Sequence, residues 1–133
     1  MSSPVAANQS VAHPMALLSD QMKFVTAMEN VATAIRHQNY LNGFRKEDVV
    51  REPLNMLMLI VTELGEAADA FRNHNPDSDH LGATTSAAEE ELADVFIRLV
   101  DFADEQKFDL AGAILRKMAF NATRPFMHGG KTC

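Results

Sequence analysis

Apolar positions recur at helical spacing in four segments of the chain, and the alternation expected of strands is nearly absent. The clearest segment is 53–74. There Leu57, Val61, Leu64, Ala68 and Phe71 fall at i, i+4, i+7, i+11 and i+14, which predicts a core-facing helical stripe. The other side of the same helix carries Met56, Leu59, Ala67 and Ala70, with Glu63 and Glu66 set among them. At about 100° per residue these glutamates lie roughly 60° apart, one turn along a single face. A helix apolar nearly all round is normally buried nearly all round, and ionised carboxylates in such a place need a cation.

The other elements follow from weaker versions of the same signal. Residues 1–18 mix small and polar residues with two prolines and predict a tail. Ser19 is a plausible N-cap for a first helix bearing Phe24, Met28, Val31 and Ile35 and ending near His37 to Asn39. Asn42-Gly43 then signals a turn, and 45–50 connects to the central helix. Residues 73–87, rich in Asn, Asp, Pro, Gly, Ser and Thr, predict a long loop. Ser86 is the expected N-cap of a third helix whose first-turn glutamates suit the helix dipole. Leu92, Phe96, Leu99, Val100 and Ala103 make its apolar arc; Glu91, Asp94, Arg98, Asp101 and Glu105 make a polar stripe that on its own reads as a solvated face. A last helix runs from the N-cap Asp109 to about Thr123, with Leu110, Ile114 and Met118 apolar and Lys117, Asn121 and Arg124 on another face. Pro125 ends it, and 125–133 reads as a second tail. The expectation is an all-α, four-helix bundle over 19–124.

Composition narrows the classes. The 133 residues carry a net charge of −6 and no basic tract, which argues against duplex nucleic acid as a partner. The single cysteine is Cys133, so neither a disulfide framework nor a Cys/His zinc site is expected, as suits a cytoplasmic protein. No signal peptide is visible, and the longest apolar run, Met56 to Val61, is too short to span a bilayer.

No Gly-x-Ser-x-Gly, phosphate-loop or dinucleotide fingerprint is present. What remains is two acidic pairs, Glu63-x-x-Glu66 and Glu91-x-x-Asp94. Antiparallel packing of their helices brings four carboxylates together, hard oxygen ligands of the kind that suit Mg²⁺ or Mn²⁺. A di-iron bundle site is the competitor, but it uses Glu-x-x-His on two helices, and no glutamate here has a histidine three residues on.

These pairs, separated by a spacer of 24 residues, resemble the E-x-x-E…E-x-x-D signature of MazG-like, all-α nucleoside triphosphate pyrophosphohydrolases. Lys117 and Asn121, with Arg124 one turn on, resemble that family's downstream Lys/Asn/Arg element, and the His128-Gly129-Gly130-Lys131 tail resembles the end of some small members. The resemblance spans residues 19 to 131. It implies Mg²⁺-dependent cleavage between the α- and β-phosphates of a nucleoside triphosphate, with Mn²⁺ as a substitute. Glu63, Glu66, Glu91 and Asp94 are then metal ligands, with Glu63 or Glu66 activating water. Lys117 takes a catalytic, phosphate-binding role alongside Asn121 and Arg124. His37, Asn39, Tyr40 and Phe44 are candidates for the base, because aromatic and amide groups stack on and read one. Glu90 reads as dipole compensation. A noncatalytic binding bundle and a phosphoribosyl-ATP pyrophosphatase are the alternative readings. The two apolar sides of the central helix, together with similar enzymes, imply a homodimer or homotetramer in which Lys117 or the C-terminal tail reaches a neighbouring subunit.

Overall fold

The computed structural model describes residues 14–125, and side chains from 18 onward. The tail expected at 1–18 therefore lies almost wholly outside the described residues, as does the C-terminal tail beyond Pro125. Four helices and one small hairpin follow in order: α1 (Pro14–Leu41), α2 (Pro53–Arg72), β1 (Asp77–Ser78), β2 (Gly82–Ser86), α3 (Ala87–Glu105) and α4 (Leu110–Ala122). The protein is an all-α bundle with a two-stranded ornament.

α1 departs from expectation at both ends. It starts at Pro14, a residue suited to a first turn because its missing N–H has no helical partner there anyway, so Ser19 lies inside the helix and caps nothing. It runs on to Leu41 and stops where glycine permits. Gly43 has φ 89°, its N–H donates to the Tyr40 carbonyl at 3.1 Å, and Phe44 N–H donates to the Asn39 carbonyl at 2.9 Å. α2 and α3 end in the same double bond pattern without glycine. His74 (φ 65°) and Lys107 (φ 59°) take the left-handed position instead. The segment 73–87 is more than a loop. β1 and β2 pair antiparallel, Ser78 opposite Gly82, with Gly82 at φ 78°. The run is too short to show a period of two, which is why composition alone reads it as irregular. Ser86 and Glu89 form a capping box at the start of α3, and Asp109 caps α4 through Gly112 N–H at 2.9 Å.

α2 and α3 form the main pairing and run antiparallel: Glu66 meets Glu91 at one end, while Met56 shares a cavity with Asp101 toward the other. α1 packs on α3 and α4. The face expected to be core on α2 turns outward. On α2, Met56, Glu63 and Ala67 are buried, whereas Val61 is 53% exposed and Phe71 66%, with Leu57, Leu64 and Ala68 also exposed. On α3 the expectation holds in part: Val100 and Ala103 of the apolar arc are buried, but Leu92, Phe96 and Leu99 turn outward, while Asp101 of the polar stripe is buried and Glu91, Asp94, Arg98 and Glu105 are half-buried.

Arginines from outside α3 explain why its polar stripe is not a solvated face. Arg45 donates to Asp101 Oδ1 through Nη2 at 2.6 Å and reaches Asp104 through Nη1 at 2.9 Å. Arg36 grips Asp104 with two bonds of 3.0 and 2.8 Å. Arg51 pairs with both Asp101 and Glu105. With its charges matched, the stripe packs against the rest of the chain at lower cost than an unpaired one. Among the described residues no helix is long and apolar enough to cross a membrane.

Candidate active site

Three carboxylates meet where the first half of α3 crosses α2. Glu63, Glu66 and Glu91 each offer one oxygen, and the three lie within 4.8 Å of one another. The helical period puts Glu63 and Glu66 on one face of α2, and the antiparallel crossing sets Glu91 opposite them. Small buried residues, Ala67 on α2 and Ala88 on α3, leave room for this approach. Glu63 is 7% exposed, Glu91 half-buried and Glu66 open to solvent. Burial pushes the Glu91 carboxyl above its ordinary value, and the charges of Glu66 and Glu63 push it further.

Crowded carboxylates of this kind are relieved by a proton or by a cation. Two open or half-open glutamates around a buried one suit a hard divalent ion bound through oxygen, with coordination positions left for water or phosphate. The residues present therefore fit Mg²⁺ or Mn²⁺. Among the described residues, the positive charge at this cluster is Arg98. Its Nε lies 2.7 Å from Glu63 Oε1, but the N–H does not point at that oxygen and Nε is buried without a hydrogen-bond partner.

Beside the cluster is a cavity of about 430 Å³ between the end of α1, the start of α2 and the middle of α3. Asp94 and Arg98 form its boundary with the acidic end, and Arg51 and Asp101 form the opposite boundary. Phe44, Met56, Leu59 and Ile97 give it apolar walls, and Asn39 and Asn55 add amides. An apolar cleft of this size with a few polar groups is the usual form of a small-molecule site. At its closed end, burial drives the Asp101 carboxyl up. The hydrogen bonds from Arg51 and Arg45, the Asn39 side chain and the Arg45 charge outweigh this and hold it below its ordinary value.

Of the residues singled out by sequence, Glu63, Glu66 and Glu91 come together, and Asp94 lies next to them on the cavity wall, outside the close triad. Asn39 and Phe44 line the cavity; His37 and Tyr40 are exposed and do not. Lys117, Asn121 and Arg124 sit exposed at the end of α4 and after it, away from the cavity walls, with Lys117 Nζ 4.9 Å from the centre of the Phe120 ring. The His128-Gly129-Gly130-Lys131 tail lies outside the described residues. Glu90 does more than offset the dipole. It accepts from Ser78 Oγ and meets His80 Nδ1 at 2.8 Å, fastening the hairpin to the first turn of α3. Arg98 is a site residue that the sequence marks only by its place one turn after Asp94 on the polar stripe. Arg45 and Arg51 carry no such mark, because their partners are far away in sequence.

With this geometry in view, comparison with known proteins gives two relatives. The chain is 37% identical over 82 residues to dCTP pyrophosphatase 1 of Bos taurus, covering 58% of this chain and 48% of that protein. It is 38% identical over 77 residues to dCTP pyrophosphatase 1 of Homo sapiens, covering 55% of this chain and 45% of that protein. The chain spans about half the length of the curated relatives it matches. No family profile and no solved structure matches it.

Proposed function

We propose that the protein is a Mg²⁺-dependent nucleoside triphosphate pyrophosphohydrolase of the MazG-like type, cleaving between the α- and β-phosphates to give a monophosphate and pyrophosphate. The observation that carries this reading is the Glu63–Glu66–Glu91 triad opening beside a cavity large enough for a nucleoside. The likeness to proteins named dCTP pyrophosphatase 1 makes dCTP the first substrate to try.

Glu63, Glu66 and Glu91 would hold the cation, with Asp94 adjacent. A bound divalent ion supplies the positive charge without which a triphosphate could not approach three carboxylates. Glu63 or Glu66 takes the proton of the attacking water as its oxygen joins phosphorus and the α–β bridge breaks. The apolar walls around Phe44 and Met56 receive the base and exclude water, while Asn39 offers it an amide. Lys117, Asn121 and Arg124 do not line the cavity of their own chain, so the phosphate-binding role proposed for them belongs to an assembly in which α4 faces a neighbouring subunit. The exposed apolar sides of α2 and α3 support such an assembly, a homodimer or homotetramer, because that much contiguous apolar surface is unusual on a monomer.

The experiment is pyrophosphate release from a panel of deoxy- and ribonucleoside triphosphates and phosphoribosyl-ATP, with Mg²⁺ and with EDTA. The reading expects a triphosphate to be hydrolysed and EDTA to stop it. Activity persisting in EDTA would sink the metal mechanism, exclusive turnover of phosphoribosyl-ATP would move the substrate, and no turnover would leave a binding bundle.

A further inference from the structure

Arg98 stands between the acidic triad and the cavity, and its contact with Glu63 is incomplete. The two groups are 2.7 Å apart, yet the buried Nε donor is not aligned with the carboxylate and bonds to nothing else. Arginine–carboxylate pairs draw their strength from directed, often paired hydrogen bonds. Arg45 and Arg51 have such bonds to Asp101 and Glu105 and are committed to them. Arg98 is held by charge alone. Its side chain is 40% exposed and lines the cavity, so it has somewhere else to go.

A divalent ion on the triad competes with this guanidinium for the same Glu63 carboxylate and repels it. A guanidinium cannot shed its proton, so once displaced it carries its charge and five N–H donors to another acceptor. We propose that Arg98 is an exchangeable counter-cation: it neutralises Glu63 in the cation-free protein, yields that carboxylate to the divalent ion, and turns into the cavity to donate to oxygen acceptors of the bound nucleotide. The inference rests on the function proposed above and adds to it a substrate-contacting residue. It also couples the two ligands, since the ion's arrival releases the group that grips the substrate.

Mn²⁺ binding without nucleotide, followed by electron paramagnetic resonance, tests the first half. Arg98→Gln should bind Mn²⁺ roughly three- to tenfold more tightly than wild type, the range expected for losing a competing, partly exposed charge. Arg98→Lys keeps a competing charge and should stay within about twofold. At saturating Mg²⁺, Arg98→Gln should raise KM roughly tenfold for the triphosphate hydrolysed fastest in the panel, the scale of one lost charged hydrogen bond. If Arg98→Gln lost its helical circular dichroism, Arg98→Met, which keeps the aliphatic stem, would carry the comparison. An unchanged or weaker Mn²⁺ midpoint overturns the exchange. An unchanged KM overturns the substrate contact and sends the displaced guanidinium to Asp94 or to water. A wild-type protein that binds no Mn²⁺ overturns the proposed function itself, which is a separate result.

Discussion

The two ends of the α2–α3 seam are built from the same residue types and behave in opposite ways. At one end Glu63, Glu66 and Glu91 crowd together beside the misaligned Arg98, and burial and mutual charge push the Glu91 carboxyl up. At the other, Asp101, Asp104 and Glu105 meet Arg36, Arg45 and Arg51, and Asp101 is held low although it is only 3% exposed. Depth does not separate the two ends; the supply of arginine does. Where the chain brings its own cations, carboxylates become structure. Where it brings few, they stay crowded, as the proposed cation site requires.

The sharpest way to break the comparison is to neutralise the crowded end. Glu91→Gln should lower Mg²⁺-dependent hydrolysis by roughly a hundredfold or more, as expected on losing a metal ligand together with its charge. In EDTA its melting temperature should equal or exceed that of wild type, because the substitution removes a charge the apo fold disfavours. A lower melting temperature would mean that Glu91 is a structural anchor after all.

Neutralising the satisfied end should do the reverse. Asp101→Asn leaves Arg45 and Arg51 short of a partner in a largely buried place and should cost about 3 kcal/mol in a urea titration. Loss of activity would then follow loss of fold.

pH distinguishes the ends in one protein. Asp101 has a lowered value when folded, so its contribution is present above its ordinary value of 3.8 and is lost as pH falls below it. Glu91 has a raised value, so its contribution is present below its ordinary 4.5 and is lost as pH rises above it. Melts of the EDTA-treated protein should therefore show a decline on each side of this range. Glu91→Gln should flatten the upper decline and Asp101→Asn the lower one.

The smallest effect belongs to the turn that ends α2 before the hairpin. His74 holds a left-handed backbone without being glycine, and His74→Gly should add about 1 kcal/mol of stability while leaving Mg²⁺ dependence unchanged. A change in metal dependence would show that the turn sets the geometry of the triad.

Much of this was readable in the sequence, and the misreadings have one source. The period of α2 and α3, the caps at Ser86 and Asp109, and the acidic pairs are local patterns and appear where expected. Which face turns inward is not local. The polar stripe of α3 is packed because Arg36, Arg45 and Arg51 answer it from another part of the chain, and no periodicity within α3 announces them. The stripe on α2 looked like core because apolar residues usually are core, yet the chain turns it outward. The ends of α2 and α3 fall close to where composition puts them, but the left-handed positions at His74 and Lys107 carry no sequence signal, because glycine usually marks such positions and here it is absent. The cavity was half-seen: Asn39 and Phe44 were singled out for chemistry, Asn55, Ile97 and Arg98 were not.

The arginine bonds also set an order of events in time. They join residues 50 to 68 positions apart, whereas the acidic end is closed by the β1–β2 hairpin between adjacent helices. Short closures cost less chain entropy and form sooner. Accordingly the crowded carboxylates should be drawn together early, from the hairpin outward, and the arginine clamp should shut last. Asp101→Asn should consequently speed unfolding in stopped-flow measurements and leave the refolding rate near that of wild type. The crowded end of the seam is thus expected to assemble first, and the paired end to lock it in place.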